Sequence, residues 1–281
     1  MKNIKHSLIN PHDFFDDVLS SKRNSSSDPD YKLRIEKLKP NIKRLFNNYD
    51  DKFSNRELAL INPIGYTGRD KQDLLKLYKY GTKPFQKLKV EITTDENNII
   101  NNTCQNCSIN EVNTLDHFVP KEEICEFSVH PKNLFPSCSF CNGKKNRFWR
   151  DESGTLFLNL YCDTIPDIQY LFVKLTFNSG EIEFEFYLEN INRIQEDLFS
   201  LIESHYLKLG LLSRFKLSSN EVISDLEHTI ISNRHLAPKQ DIIDSIKAKH
   251  NLNRRKLGFN YWKSILSLAL IDCEKYVDSI F

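Results

Sequence analysis

The chain has 281 residues, of which 40% are hydrophobic and 27% charged, so it is a globular protein long enough to bury a substantial core. Its strongest apolar run, Ile265–Ile271, covers seven residues, whereas a membrane span needs about 20. The N-terminus has no apolar segment of signal-peptide length, so we expect a cytoplasmic protein with no membrane partner. Seven cysteines in such a chain indicate metal or thiol chemistry rather than a disulfide framework.

The net charge of +1 conceals an asymmetry along the chain. Residues 1–92 hold 19 Lys/Arg and 12 Asp/Glu, a net charge of +7, whereas residues 93–281 hold 20 and 26, a net charge of −6. A basic N-terminal third attracts polyanions over distances up to a Debye length. Because acidic residues are interspersed through this segment, an ordinary solvated surface explains the same pattern.

Residues 1–95 are predicted to form a basic, mainly helical N-terminal region. Residues 1–30 end in a polar, turn-rich stretch, and we expect them to be loosely ordered. In the rest of this region, apolar residues recur at helical spacing and predict a series of helices. The first is expected to be interrupted by Pro40, the second to end near Gly81, and the third to begin near Pro84.

Two Cys-x-x-Cys pairs mark the central region, residues 96–153: Cys104 with Cys107, and Cys138 with Cys141. Each pair can turn two thiolates toward one ion, and four thiolates complete the tetrahedral shell of a structural Zn²⁺. The alternative is a set of unrelated core cysteines, but two pairs around a compact segment favour zinc. The other cysteines lack a paired spacing and are predicted to be packing residues: Cys125, Cys162 and Cys273.

Polar residues with chemistry of their own lie around these pairs. His117 can accept a proton from water near neutral pH, and the adjacent Asp116 carboxylate suits a hard cation such as Mg²⁺. Asn142 follows the second pair at the expected start of a helix, where it either supplies a second oxygen ligand or caps the helix. Asn133 is predicted to tie the two arms of the loop together by backbone hydrogen bonds. His130, in a proline-containing loop, is a rival imidazole.

Basic residues crowd the short helix predicted after the second pair: Lys144, Lys145, Arg147 and Arg150. Such a helix can lie along a nucleic-acid backbone and neutralise phosphates, and the alternative is a solvated basic face. Phe148 and Trp149 in the same segment are predicted to pack inward rather than to stack on bases.

Beyond the central region, residues 154–190 are predicted to form strands. The segments TLFLNLYC and YLFVKLTF are strand-like, and EIEFEFYLE alternates glutamate with apolar residues, which predicts one solvated and one buried face. Asn178, Ser179 and Gly180 supply the turn between the last two. Residues 191–281 return to helical spacing, with the last helix expected around Tyr261–Tyr276.

The order of these residues resembles that of the HNH endonuclease family in its four-cysteine, zinc-stabilised form. The likeness rests on Cys-x-x-Cys, then Asp-His-x-x-Pro-Lys, then Asn-Leu-x-Pro-x-Cys-x-x-Cys-Asn-x-x-Lys, and it covers about residues 100–150. It implies a β-hairpin followed by a helix that grips one divalent metal. The expected fold is therefore α+β: a mainly helical chain with a central zinc-clamped ββα-metal core and a following β-hairpin.

The resemblance also implies roles for individual residues. Asp116 and Asn142 are the expected ligands of a catalytic Mg²⁺ or Mn²⁺, and His117 is the general base. Asn133 is the middle asparagine that orders the loop around the base, and Lys145 takes the family's usual lysine position. The chain departs from the family in two ways, because it has asparagine in place of the final histidine and lacks the Gly-Gly often found before the middle asparagine. Candidate nucleic-acid contacts are Lys121, Lys144, Lys145 and Arg147.

These implications predict an endonuclease that hydrolyses phosphodiester bonds, with DNA as the expected substrate. More loosely, the chain resembles the stand-alone HNH proteins of bacterial anti-phage defence, such as those of Septu-like and retron-linked systems, which implies an ATPase partner. Two alternatives stay open. One is a ribonuclease or transfer-RNA-directed toxin that uses the same site. The other is a non-catalytic zinc-ribbon module that binds nucleic acid, whose mark would be loss of the Asp-His pair.

Overall fold

The computed structural model of the protein describes residues 1–23, 25–178 and 181–281, without the side chains of residues 177, 178 and 181. Contacts within the chain group these residues into two compact units. The N-terminal unit comprises residues 3–106 and 110–164, and the C-terminal unit comprises residues 165–281 with residues 1–2 and 107–109. The chain mixes α-helices with small antiparallel two-stranded sheets, so the fold class is α+β at this coarse level.

Helices build the first part of the N-terminal unit: α1 (Pro11–Ser20), α2 (Tyr31–Ser54), α3 (Gly68–Leu77) and α4 (Lys83–Thr93). The expectation that residues 1–30 are loosely ordered is wrong for α1. Asn10 caps this helix, since its side chain accepts hydrogen bonds from the backbone of His12 and Asp13, and Phe14 and Phe15 are buried. An asparagine followed by proline is a helix-start signal that the sequence already contained.

Pro40 does not interrupt α2, which runs without a break for 24 residues. A proline inside a helix removes one backbone hydrogen bond and usually kinks or breaks it. Here Pro40 is exposed, while Ile35 and Ile42 on either side of it are fully buried. Packing of these side chains into the core therefore outweighs the lost hydrogen bond.

A hairpin and a short helix form the centre of the N-terminal unit: β1 (Thr114–His117), β2 (Leu134–Ser137) and α5 (Ser139–Lys145). A small second sheet follows, made of β3 (Arg150–Asp151) and β4 (Gly154–Thr155). Buried apolar side chains of α1–α4 and of the loop between β1 and β2 belong to one core cluster, which also includes Trp149. The hairpin is thus supported from behind by the helical part of the unit.

The strand predicted for the segment TLFLNLYC is wrong beyond Thr155, because the chain turns there. The side chain of Asn159 accepts a hydrogen bond from the backbone of Tyr161, and its backbone N–H donates to the Asp163 carboxylate at 2.7 Å. Asparagine and aspartate favour turns through such local bonds. The apolar residues of this stretch, such as Leu160, are buried without forming a ladder.

In the C-terminal unit, the predicted hairpin is present as β5 (Leu171–Asn178) and β6 (Glu181–Leu188). Glu183 and Glu185 are exposed and Phe186 is buried, as the alternation predicts. The turn residues Ser179 and Gly180 lie outside the described residues. Phe215 stacks on Trp262 with ring centroids 5.2 Å apart, and Phe186 meets the same indole edge-on.

Helices complete the C-terminal unit: α6 (Glu196–Leu209), α7 (Leu211–Leu217), α8 (Asn220–Asn233), α9 (Lys239–Leu257), α10 (Trp262–Ile271) and α11 (Glu274–Ile280). The last predicted helix is divided at residues 272–273 into α10 and α11. Among the helices of the described residues, none has both the length and the apolar content required to cross a membrane.

Candidate active site

Strands β1 and β2 place the candidate residues in a fixed antiparallel register. Asp116 lies opposite Phe135 and His117 lies opposite Leu134. Cys138 follows β2 directly and is the N-cap of α5, where its Sγ accepts a hydrogen bond from the backbone N–H of Cys141. The order is therefore strand, strand, helix, and the second cysteine pair forms the joint between the hairpin and the helix.

The two predicted cysteine pairs come together as one cluster: Cys104, Cys107, Cys138 and Cys141. Their sulfur atoms all lie within 4.8 Å of one another, and the residues are at most 1% exposed. A tetrahedral zinc ion with Zn–S bonds of about 2.3 Å holds its sulfurs roughly 3.8 Å apart. The cluster is thus compatible with zinc binding after a small contraction, and four thiolates leave no open coordination position.

Polar groups surround the sulfurs of this cluster. Cys138 Sγ accepts from Asn110 Nδ2 at 3.8 Å in addition to the Cys141 N–H, and Cys104 Sγ lies 3.9 Å from Ser137 Oγ. Donors directed at a sulfur favour its thiolate form, which is the form that binds metal. By contrast, burial raises the pKa of the Cys125 thiol to about 12, which suits a packing residue.

Asn133 is completely buried and hydrogen-bonds to both arms of the loop between the strands. Its Oδ1 accepts from the Val119 N–H at 2.8 Å and from the Tyr49 hydroxyl at 3.1 Å. Its Nδ2 donates to the carbonyls of Val119 and Phe127, both at 3.0 Å. These bonds fix the chain immediately after His117, because Val119 is only two residues away.

His117 is 6% exposed and has a defined hydrogen-bonding state. Its Nε2 lies 2.8 Å from the carbonyl oxygen of Ser128. A carbonyl only accepts, so Nε2 carries the proton and Nδ1 holds the lone pair. Burial lowers the pKa of His117 to about 3, against the opposing effect of the Ser128 hydrogen bond, so the imidazole is neutral at physiological pH. The ring also packs edge-on against Tyr78, with centroids 4.5 Å apart.

Asp116 is also buried, and Lys145 is its charged neighbour. Lys145 Nζ lies 3.2 Å from Asp116 Oδ1 and donates to the His117 carbonyl at 2.7 Å. Burial raises the pKa of Asp116, whereas the Lys145 ammonium opposes that change. The lysine, itself 5% exposed, therefore favours the ionised carboxylate in a site that would otherwise disfavour it.

Asn142 is the fourth residue of α5 and not its N-cap, because the helix begins about one turn earlier than the sequence predicts. Its Nδ2 donates to Thr114 Oγ1 at 3.3 Å, which turns the amide toward β1. Asp116, His117 and Asn142 together line a pocket of about 560 Å³ in the N-terminal unit. Two residues whose side-chain oxygens can bind a metal ion and one neutral imidazole thus line the same pocket. His130 does not line this pocket and packs against Tyr49, with ring centroids 4.3 Å apart.

The predicted basic residues do not share one exposed face. Lys144 and Arg147 are exposed, and Lys121 lines the pocket beside Glu122. Lys145 is a correction to the predicted set of nucleic-acid contacts, because its ammonium is buried against Asp116. Arg150 is also directed inward and donates to Glu123 at 2.8 Å.

The two aromatic residues after α5 have opposite environments. Trp149 is buried, and its Nε1 donates to Glu123 at 2.8 Å, as its predicted inward packing requires. Phe148 was predicted to pack inward as well, but it is 61% exposed. Adjacent residues in an extended turn point in different directions, so only one of the two rings reaches the core.

Sequence reasoning missed Tyr78 and Ser128 as parts of the site. Tyr78 donates its hydroxyl hydrogen to the Leu115 carbonyl at 2.7 Å and lines the pocket. Ser128 supplies the carbonyl that fixes the protonation of His117. Tyr78 lies outside the central region, and a backbone carbonyl has no signature in the sequence, so neither left a signal to find.

Comparison with known proteins adds a distant relative. No protein-family model matches the chain, and no solved structure matches it. The chain is similar to Protein ea31 of Escherichia phage lambda, with 26% identity over 196 residues. The matched region spans 63% of this chain and 64% of that protein, so more than a third of each lies outside it. This likeness does not by itself assign a family or an activity.

Cys138→Ser is expected to lower the melting temperature and the zinc content together, because metal binding at a structural site contributes directly to folding. Thermal unfolding and metal analysis of the purified protein measure the two effects. Cys273→Ser is the matched control, since Cys273 lies outside the cluster and should leave both values unchanged. A zinc-free wild-type protein whose melting temperature equals that of the serine variant would contradict the zinc site.

Asn133→Ala is expected to destabilise the fold by about 3 kcal/mol or more, because it leaves several buried backbone groups without partners at about 1–3 kcal/mol each. Urea unfolding of the variant measures the change. Asn48→Ala, at an exposed position of α2, serves as the control and is expected to stay within about 0.5 kcal/mol of wild type. Equal stabilities for the two variants would contradict the tie described for Asn133.

Proposed function

We propose that the protein is a metal-dependent HNH endonuclease that hydrolyses phosphodiester bonds in nucleic acid. The single observation that supports this most directly is the convergence of Asp116, His117 and Asn142 on one pocket. These residues also stand in the order that resembles the HNH family, on a hairpin and helix that meet at the second cysteine pair. The Asp-His pair argues against the zinc-ribbon alternative, which has no use for a base beside an oxygen ligand.

His117 is assigned as the general base. Because Nε2 is held by the Ser128 carbonyl, Nδ1 is the atom that takes a proton from water and leaves a hydroxide to attack phosphorus. The bonds of Asn133 to Val119 hold the backbone just after the base, so the imidazole does not have to be ordered when substrate arrives. This is a positioning role and needs no contact between Asn133 and the substrate.

Asp116 and Asn142 are assigned as the protein ligands of a catalytic Mg²⁺ or Mn²⁺. One carboxylate and one amide oxygen fit such an ion, because Mg²⁺ is usually held by one or two carboxylates with water and phosphate oxygens completing its shell. When bound, the ion stabilises negative charge on the scissile phosphate and on the leaving oxygen. The Lys145 ammonium favours the ionised form of Asp116 and donates to the His117 carbonyl, which positions both residues at the end of β1.

Substrate contacts are assigned to Lys121, Lys144 and Arg147, which lie at the pocket or on the exposed side of α5 and the turn after it. Neutralising phosphates with such side chains gives affinity that falls with salt. The excess positive charge of residues 1–92 adds a weaker, longer-range attraction. DNA is the proposed substrate, and RNA is the alternative because it offers the same phosphodiester.

A role in bacterial anti-phage defence, with an ATPase partner, is the wider proposal. It rests on the looser resemblance to stand-alone HNH proteins of such systems.

Incubation of the purified protein with plasmid, linear duplex, single strands and total RNA, each with Mg²⁺ or Mn²⁺, tests the proposed nuclease activity. Cleavage of RNA alone would favour the ribonuclease, and binding without any cleavage would favour the zinc-ribbon module.

His117→Ala is expected to reduce cleavage by about 10²–10⁴-fold, the usual cost of removing a general base. Its zinc content should change little, because the imidazole is not part of the cysteine cluster. Its nucleic-acid binding should also change little, because the imidazole acts on water. Asn142→Ala should also impair cleavage, but a higher Mg²⁺ or Mn²⁺ concentration should partly restore it, since that variant acts through the metal. Cleavage time courses across divalent-ion concentration measure both effects.

His228→Ala, at an exposed position of α8, is the control for these two variants and should cleave like wild type. Wild-type cleavage by His117→Ala would rule out the proposed base. Equal rescue of His117→Ala and Asn142→Ala by divalent ions would contradict the division of labour between them.

Lys144→Glu with Arg147→Glu is expected to weaken nucleic-acid binding for all sequences and to flatten its salt dependence, because two phosphate contacts are lost. Lys37→Glu with Lys87→Glu changes the net charge of the protein equally at exposed positions of α2 and α4. Binding measured at several salt concentrations separates the two pairs. If both pairs reduce the salt slope equally, the affinity comes from the overall charge of the N-terminal region rather than from local contacts.

A further inference from the structure

Two aromatic rings near the pocket face solvent. Phe140 is 46% exposed and Phe148 is 61% exposed. Each has a cation over its ring: Lys144 Nζ lies 5.8 Å from the centroid of Phe140, and Arg147 Cζ lies 5.6 Å from that of Phe148. The surface here therefore consists of two exposed rings paired with two exposed positive charges.

The local fold accounts for the exposure of both rings. The inward side of α5 is occupied by Cys141 in the cysteine cluster and by Lys145 against Asp116. Asn146 ends the helix with a positive φ of 47°, and Trp149 is anchored in the core. Phe140 and Phe148 are thus excluded from the interior by neighbours that already fill it.

The same segment forms one wall of the pocket. Asn142, Gly143 and Asn146 line it, and they lie between Phe140 and Phe148 in the chain. Gly143 has nothing within 4 Å of the position that a Cβ would take, so the space above this wall is open. A polymer whose phosphate enters the pocket would therefore pass beside one or both rings.

We propose that Phe140 and Phe148 stack on unpaired bases, so that the preferred substrate is a single-stranded or locally unpaired nucleic acid. This inference rests on the proposed nuclease function. Aromatic side chains beside basic ones are the usual means of binding single strands, because every base has a face on which a ring can stack. In an intact duplex those faces are covered by neighbouring base pairs, whereas the phosphates stay accessible to Lys144 and Arg147. The rings therefore add selectivity for unpaired bases to an attraction that both forms share.

The test compares binding of three labelled probes of one sequence: single-stranded DNA, single-stranded RNA and duplex DNA. The His117→Ala background prevents cleavage during the measurement. Phe140→Leu with Phe148→Leu should weaken single-strand binding by about 10-fold or more and duplex binding by less than about 2-fold, since stacking contributes only to the former. Phe140→Tyr with Phe148→Tyr keeps the rings and should retain the affinity for single strands. The DNA and RNA arms show which backbone is preferred.

Equal losses on single strands and duplex would overturn the inference, as would equal losses for the leucine and tyrosine variants. Full single-strand affinity in the leucine variant would also overturn it and would indicate that these rings serve a different partner. Melting temperatures of both variants guard against misfolding. If the wild type cleaves duplex best, only this inference fails. If the wild type neither binds nor cleaves any nucleic acid, the proposed function fails with it.

Discussion

Two cysteine pairs constrain the segment that carries the candidate catalytic residues. Cys138 has a double duty, because it belongs to the cluster and is also the N-cap of α5. A helix of seven residues has little stability of its own, so its position depends on what holds its ends. Fixing the start of α5 at the end of β2 places Asn142 and Lys145 against β1. The geometry of the site therefore depends on the position of the cysteine cluster.

Burial determines the chemical state of the residues inside this frame. Burial lowers the pKa of His117 and raises that of Asp116, and the Lys145 ammonium opposes the change at Asp116. A buried imidazole and a buried carboxylate thus lie on adjacent residues and need opposite environments. Lys145 of α5 meets one of them, and the carbonyl of Ser128 meets the other by fixing the imidazole proton. Buried polar groups held by hydrogen bonds in this way are costly to disturb.

Helix α5 separates two functions on its two sides. Its inward side supplies Cys141 and Lys145, which hold the site together, and its outward side carries Phe140 and Lys144. Lysines at neighbouring positions in the sequence consequently have unrelated roles. Their charge is the same, and only the direction in which each side chain leaves the helix distinguishes a positioning residue from a surface contact.

The sequence by itself determined the cysteine cluster, the hairpin of β5 and β6, and most helices of the N-terminal unit. These features depend on spacing and periodicity, which are local properties of the chain. Helix α1 also has a local signal, its Asn-Pro start, although the polar composition of residues 1–30 predicts loose order. At Pro40 and in the segment after Thr155, packing and turn hydrogen bonds outweigh the local propensity of the chain.

Only the tertiary structure decided which side chains meet around His117. Tyr78 contacts the imidazole from another part of the chain. Lys145 pairs with Asp116 and is therefore not one of the exposed basic residues. Phe148 is exposed because Trp149 takes the available place in the core. Each of these outcomes follows from competition for a limited buried volume. A local sequence pattern does not show which side chain fills that volume.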